Sequence, residues 1–229
     1  MRSAHAIMAA DPVLAAGLGV RRRGRWAVRA ASFRIGPPSA GTSALGIQVG
    51  QQTASAALVD VLAGAARPAY GELRVLGYDM ATGRGRAAVR SRVGVARRDS
   101  RQLPAIRIRG LVEHAARLAE PGSVDRHVLA AAILDRLSLR PWAEVPIRLA
   151  PVPVARRARL AAAAVHQPEV LLLDGLLDGL ALRDAKALAD GIRDLGRDSG
   201  ILLTGRDPEA LALACDEVMV MADGVLVSG

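Results

Sequence analysis

The sequence predicts an α/β fold in which a parallel core sheet is interrupted by a helical insertion and then resumed. Three observations predict it. Residues Ala44 to Tyr78 read ALGIQVGQQTASAALVDVLAGAARPAYGELRVLGY: a short apolar strand, a small polar turn, a helix and a second strand. Val170 to Leu173 and Ile201 to Thr204 are uninterrupted apolar runs of strand length, as expected for strands covered on both faces. From Ile106 to about Ala164, apolar residues recur at helical spacing.

Taken in order, Val13 to Ile35 reads as two strands around an Arg/Gly turn, and Pro37, Pro38 and Gly41 break the chain. Leu45 to Val49 is the first core strand, Gly50 to Thr53 the turn, and Ala54 to Ala63 a helix stopped by Gly64. A strand from Glu72 to Leu76 follows, then a polar helical connector over Arg84 to Arg90 and a short strand at Val93 and Val95. Ile108, Leu111, Val112, Ala115 and Leu118 share one helix face, which Pro121-Gly122 ends. Helices are expected over Val124 to Leu137, from about Ala155 to His166, and from Leu182 to Leu195. Asp207-Pro208-Glu209 combines an N-cap, a first-turn proline and an early acid. Val218 to Met221 and Val225 to Val227 flank Asp223-Gly224 as a hairpin.

Composition narrows the function. Apolar residues make up 51% and charged residues 23%, which suits a folded chain; aromatics are only 2%, so Ala, Val and Leu must build the core. The net charge is +9, with arginine concentrated at 21–25, 84–101 and 156–159. Such charge suits anionic partners. No aromatics are interleaved to stack bases and no recognition motif is present, so nucleic acid is not expected as a partner. Cys215 is the single cysteine, which rules out an internal disulfide and points to a reducing compartment. His5, His114, His127 and His166 lack metal-ligand spacing. No apolar run reaches the roughly 18 residues of a membrane helix. The N-terminal MRSAHAIMAADP is too brief for a signal peptide and reads as an extension, with Met8 as the start of the protein proper.

Strand, tight turn, helix is the geometry in which backbone N–H groups hold a phosphate. With that unit in place, Val61 to Asp79 (VLAGAARPAYGELRVLGYD), His166 to Asp174 (HQPEVLLLD) and Ile201 to Val227 (ILLTGRDPEALALACDEVMVMADGVLV) together resemble the nucleotide-binding domain of ATP-binding cassette (ABC) transporters. The resemblance runs from about Val13 to Gly229. It implies a P-loop NTPase-like fold: a mixed, mainly parallel core sheet, an N-terminal antiparallel β subdomain and an inserted helical subdomain. Residues 1–229 then form one domain, with 1–12 as the extension, 13–105 and 160–229 as the α/β core, and about 106–159 as the helical part.

The family's chemical motifs fall on unexpected residues. Its phosphate loop, G-x-x-x-x-G-K-[ST], falls on the turn of Gly50, Gln51, Gln52, Thr53, Ala54, Ser55 and Ala56 in either of two registers. One puts the glycines on Val49 and Ala54, the lysine on Ser55 and the hydroxyl on Ala56; the other, one residue on, makes Gly50 the first glycine, Ser55 the second and Ala56 the lysine. The chain's one lysine, Lys186, lies elsewhere. A hydrogen bond to a charged group contributes about 1.5–3 kcal/mol, whereas a bare helix N-terminus offers an anion ~0.3–1 kcal/mol. The interlobe glutamine falls on Arg98, the signature on Ala150 to Val154 with two prolines, the catalytic glutamate on Gly175 and the switch histidine on Arg206. The aspartate loop is reduced to Gly179 and Leu180, with Ala181 in place of its acid. Arg22 replaces the adenine-stacking aromatic, with Trp26 nearby. Asp174 keeps the position of the Mg²⁺-associated carboxylate, and is read first as a structural acid that caps backbone or pairs with arginine.

The resemblance therefore implies a transporter ATP-binding-subunit-like protein without turnover, a pseudo-ATPase acting as a structural or regulatory subunit. Its implied partners are a membrane-spanning permease subunit or an intact ABC ATPase, with a homodimer left open. No cofactor is expected; ATP and Mg²⁺ enter if the family's function is kept. The implied location is cytoplasmic, on the inner face of the plasma membrane when bound to such a complex. Weak ATP binding without efficient hydrolysis, or a basic binding module on the same scaffold, are the alternatives.

Overall fold

The computed structural model describes residues 11–38, 43–50, 52–98, 105–119 and 126–228. Two sheets carry the fold. The first is antiparallel, in the order β2-β1-β4-β5, from β1 (Val13–Arg22), β2 (Arg25–Ile35), β4 (Tyr70–Val75) and β5 (Tyr78–Asp79). The second has the order β10-β9-β3-β8-β7-β6. Its members are β3 (Ala44–Val49), β6 (Val93–Arg97), β7 (Val170–Asp174), β8 (Gly200–Gly205), β9 (Glu217–Ala222) and β10 (Val225–Ser228). All its pairings are parallel except β9 with β10.

The apolar runs are continuous because the second sheet is covered on both faces. Val170 and Leu172 of β7 and Leu202 of β8 point into a core shared with the first sheet and with α1 (Gln52–Leu62). Leu171, Leu173, Ile201 and Leu203, one residue out of phase, point into a second core under the helices. Those helices are α3 (Ile108–Ala119), α4 (Arg126–Arg136), α5 (Val152–Ala164) and α6 (Leu182–Leu195). Short 3₁₀ turns at Arg140–Trp142 and Ile147–Leu149 carry the chain from α4 to α5. No helix among the described residues is long and apolar enough to cross a membrane.

Several elements form for the reasons read from the sequence. Asp223 and Gly224 both adopt positive φ, 48° and 81°, as a two-residue turn matching strand twist requires. Asp207 accepts a hydrogen bond from the Glu209 amide at 3.0 Å and starts α7 (Pro208–Ala212). Thr82 does the same for α2 (Gly83–Val89), accepting from the Gly85 amide at 3.0 Å.

Three boundaries differ from expectation. Helix α1 begins at Gln52, not Ala54, so the second half of the expected turn is helical. No glycine follows Gly50 to unwind it, and Ala54, Ala56 and Ala57 are the best of helix formers. Helix α5 begins at Val152, not Ala155: Pro151 is its N-cap and Pro153 lies in the first turn, where missing N–H groups have no intrahelical partner to lose. Strand β4 also starts earlier, at Tyr70, whose ring lies over Gly19 so closely that a Cβ there would sit 2.2 Å from it. The expected break around Gly41, Gln51 and the Pro121-Gly122 stop lie outside the described residues.

Candidate functional site

The carboxyl ends of β3, β6, β7 and β8 converge with the start of α1 and the β1–β2 turn on an open cleft of about 870 Å³. In a parallel sheet this end is where loops gather and ligands bind. Gly50 stands at the lip and Thr53 is exposed on the first turn of α1. Ala54 and Ser55 are buried and Ala56 is half-buried, so Ser55, the lysine position in the first register, keeps only 2% of its surface. Gln51 is outside the described residues; Gln52 opens the helix.

Asp174, the last residue of β7, is 8% exposed. Its Oδ1 accepts the Thr204 hydroxyl at 3.0 Å, and its Oδ2 lies 3.9 Å from a guanidinium nitrogen of Arg97. Arg97 also donates to Asp60 of α1, which in turn faces Arg22 at 3.7 Å. Asp60 thus ties the β1–β2 hairpin to the end of β6.

A second group is built around Asp178. Its Oδ1 accepts the Arg206 amide at 2.8 Å; its Oδ2 lies 3.4 Å from Arg98 and 3.5 Å from the Arg206 side chain. Gly175 lies against it with φ +67°. A Cβ added there would stand 3.3 Å from Asp178 Oδ2 and 3.4 Å from Arg98 Cβ. A side chain at 175 would therefore pack tightly against Asp178 and touch Arg98, on a backbone conformation that disfavours it. Beneath this group, buried Arg156 on α5 donates to the carbonyls of Leu176 (2.7 Å) and Asp178 (2.6 Å), and Arg159 donates to that of Arg98. The helical layer is hydrogen-bonded in this way to the loops after β6 and β7. Gln48 donates to the Arg206 carbonyl at 3.2 Å.

The outer wall is the β1–β2 turn, which places Arg23, Arg25 and Trp26 on the cleft. Trp26 packs edge-to-face on Tyr70 (5.2 Å, 74°) and carries Arg21 at 4.1 Å over its ring. Ala150 to Val154 lie apart at the start of α5, with Val152 exposed and Val154 buried. Gly179 (φ +67°) and Leu180 lead to Ala181, which caps α6 without a side-chain hydrogen bond.

The four positions singled out from the sequence, Arg98, Asp174, Gly175 and Arg206, thus line one cleft. Sequence reasoning missed Asp178, Arg97 and Asp60. Asp178 left a faint signal, an acid alone in the apolar loop GLLDGL; nothing local marked Asp60 as a partner of Arg97. Among the described residues no cluster of three His, Cys, Asp or Glu is arranged to hold a metal ion.

A parallel sheet flanked by a helical layer and an antiparallel sheet, with a cleft at its carboxyl edge, defines a P-loop-type α/β cassette. Solved structures agree. cbiO1 from Clostridium perfringens, described as part of the ABC transporter complex cbiONQ, superposes with a TM-score of 0.79 at 18% identity, over 95% of this chain and 87% of that one. The ATP-binding cassette MJ0796, solved as a dimer bound to ADP and Pi, gives 0.79 at 13% identity over 94% and 98%. In sequence, the chain is 35% identical over 159 residues to the aliphatic sulfonates import ATP-binding protein SsuB 2 of Paracoccus denitrificans. It is 30% identical over 172 residues to the daunorubicin resistance ATP-binding protein DrrA3 of Streptomyces coeruleorubidus. These matches take in 67% and 75% of this chain but span only 62% and 54% of those relatives. No family model matches. The relatives it matches are ABC transporter ATP-binding proteins, and the structures it superposes on are ABC cassettes.

Proposed function

We propose that this chain is a pseudo-ATPase, a cassette that serves a membrane transport complex as a structural or regulatory subunit and does not turn ATP over. The observation that carries the reading is Gly175, at the family's catalytic glutamate, whose φ of +67° is one that side chains rarely adopt and whose Cβ position lies 3.3 Å from Asp178 Oδ2. Phosphoryl transfer rests on positioning and charge stabilisation, and a positioned acid or base contributes about 10²–10⁴-fold. Gly175 offers no carboxylate next to Asp174 to orient a water, and Asp178 is engaged by Arg98 and Arg206.

The residues present do not fit ATP with Mg²⁺ as the family holds it. A cation brought to Asp174 has to displace Arg97, and the other oxygen is engaged by Thr204. Ser55 is buried and uncharged where, in the first register, a lysine would meet the phosphates. The metal and phosphate-loop roles of Asp174 and of Gly50 to Ala56 are therefore read as lost. The relatives' names describe import and resistance by ATP-binding proteins, which supports a role in transport; partnership with a permease or an intact ABC ATPase, and a place on the inner membrane face, are proposed along with that role.

Two measurements test this. Purified protein with ATP and Mg²⁺ is expected to release no phosphate above the blank; steady release abolished by Asp174→Asn would overturn the pseudo-ATPase reading. Affinity purification from native membranes is expected to bring down a membrane-spanning transport protein, and its reproducible absence counts against the subunit role.

A further inference from the structure

We propose that the arginine-lined cleft binds phosphate chains, free or borne by a nucleotide, in their metal-free form, with guanidinium groups supplying the positive charge. The inference rests on the reading that this site no longer handles Mg²⁺-nucleotide. Its starting point is a surplus of charge. Arg22, Arg23, Arg25, Arg97, Arg98 and Arg206 line the cleft. Facing those six, among the described residues, are three carboxylates: Asp174 and Asp178 in its wall, and Asp60 behind Arg22 and Arg97.

These are not loose surface arginines. Asp60 and Asp174 hold Arg97, and Asp178 holds Arg98 and Arg206. A guanidinium has five donors in a rigid fork, so a carboxylate on one edge of Arg97 or of Arg206 fixes its plane with donors to spare for a ligand. The groups are thus positioned before the anion arrives, which reduces the ordering that binding must supply. Arg23 and Arg25, on the exposed β1–β2 turn, have no carboxylate partner among the described residues and complete the rim. The cleft's volume accommodates a phosphate chain with or without a nucleoside.

Metal independence follows from Asp174. Its contacts with Thr204 and Arg97 put a fixed cation where a carboxylate would otherwise recruit a mobile one. A metal-free triphosphate carries two more negative charges than its Mg²⁺ complex, so it matches the surplus better. Magnesium then competes with the protein for the ligand.

The experiment titrates inorganic triphosphate, ATP and adenosine into the full chain at fixed ionic strength, in EDTA and in excess Mg²⁺. It is read by calorimetry and by the fluorescence of Trp26 on the cleft wall. Triphosphate and ATP are expected to saturate in EDTA, excess Mg²⁺ to weaken both at least tenfold, and adenosine not to bind. Equal affinities assign the chain alone as ligand, and tighter ATP assigns a nucleotide; both support the proposal. Arg23→Gln with Arg25→Gln, on an exposed turn, should weaken binding at least tenfold. Arg197→Gln, 80% exposed at the opposite end of β8, should not change it. Absence of binding in EDTA, a requirement for Mg²⁺, adenosine binding as tightly as ATP, or equal loss in the Arg197 variant each overturns the inference. Phosphate release followed in the same samples reports separately on turnover: release sinks the pseudo-ATPase reading, whereas no release and no metal-free binding sinks this inference alone.

Discussion

Asp178→Asn separates stability from anion binding because the two should move in opposite directions. The aspartate is 8% exposed and engages Arg98 at 3.4 Å, the Arg206 side chain at 3.5 Å and the Arg206 amide at 2.8 Å. Asparagine keeps an oxygen for the amide and loses the charge. Breaking a buried pair costs about 3–5 kcal/mol, but the Arg206 side chain is 63% exposed and solvent screens its share toward the surface value of about 0–1 kcal/mol. A net loss of about 2 kcal/mol is expected, and for a chain of this size each kcal/mol lowers Tm by about 2–4 °C. Removing one negative charge about 6 Å from a bound phosphate contributes roughly 0.7 kcal/mol in water and roughly 2.8 kcal/mol at an effective dielectric of 20. Triphosphate in EDTA should then bind about three- to a hundredfold tighter, with the gain shrinking in salt. Urea denaturation followed by circular dichroism, with calorimetry, reads both. A variant that is as stable as the parent would refute the role given to Asp178 in the fold, and one that binds triphosphate more weakly would show that its positioning of Arg98 and Arg206 outweighs the charge it removes.

Three further outcomes follow from the same geometry. Arg156→Leu leaves the carbonyls of Leu176 and Asp178 without a partner; at about 1–3 kcal/mol each, partly offset by no longer burying a charge, unfolding free energy should fall by about 2–4 kcal/mol, with Arg156→Lys in between. Gly175→Glu should not create ATP hydrolysis, since it forces a side chain onto φ +67° against Asp178 and Arg98 at a strain of about 1–3 kcal/mol; a phosphate-release assay checks it. Cys215 packs against Gly46, and burial, then the nearby Asp216 charge, pushes its thiol pKa up to about 12. Native protein should therefore resist alkylation at pH 8 and react once unfolded. Because the folded pKa is the raised one, the thiol's contribution to stability is intact below its ordinary pKa of 9.0 and is lost as pH rises through about 12.

What the sequence made legible was set by range. Burial on both faces of a sheet writes itself as an unbroken apolar run, so β7 and β8 were readable in place, and caps such as Asp207 act within two residues. The start of α1 was misplaced because the polar letters of Gln52 and Thr53 suggested a turn while their backbone, without a following glycine, had no reason to leave the helix. At the cleft the difficulty was distance. Arg97 and Asp60 are 37 residues apart, and Arg98 and Asp178 are 80 apart. Alignment with a family marks where that family keeps chemistry, and so drew attention to Gly175 while passing over the acid three residues on.

That acid bears on how the cleft came to look as it does. A site drifting without constraint collects arginines and acids independently, and an ion buried without a partner costs several kcal/mol. Here the charged replacements at the cleft are paired. Where a glutamate is missing at 175, Asp178 supplies a carboxylate; where a glutamine and a histidine are missing, the arginines that stand there share that carboxylate. Asp174 meets Arg97, whose other edge Asp60 holds. Pairing of this kind makes the arrangement stable, but stability alone does not require Arg23 and Arg25 at the rim, without a carboxylate partner among the described residues and lining the same cleft. An anion is the partner that the whole set has in common, and a phosphate chain free of metal is the anion whose charge and length match it.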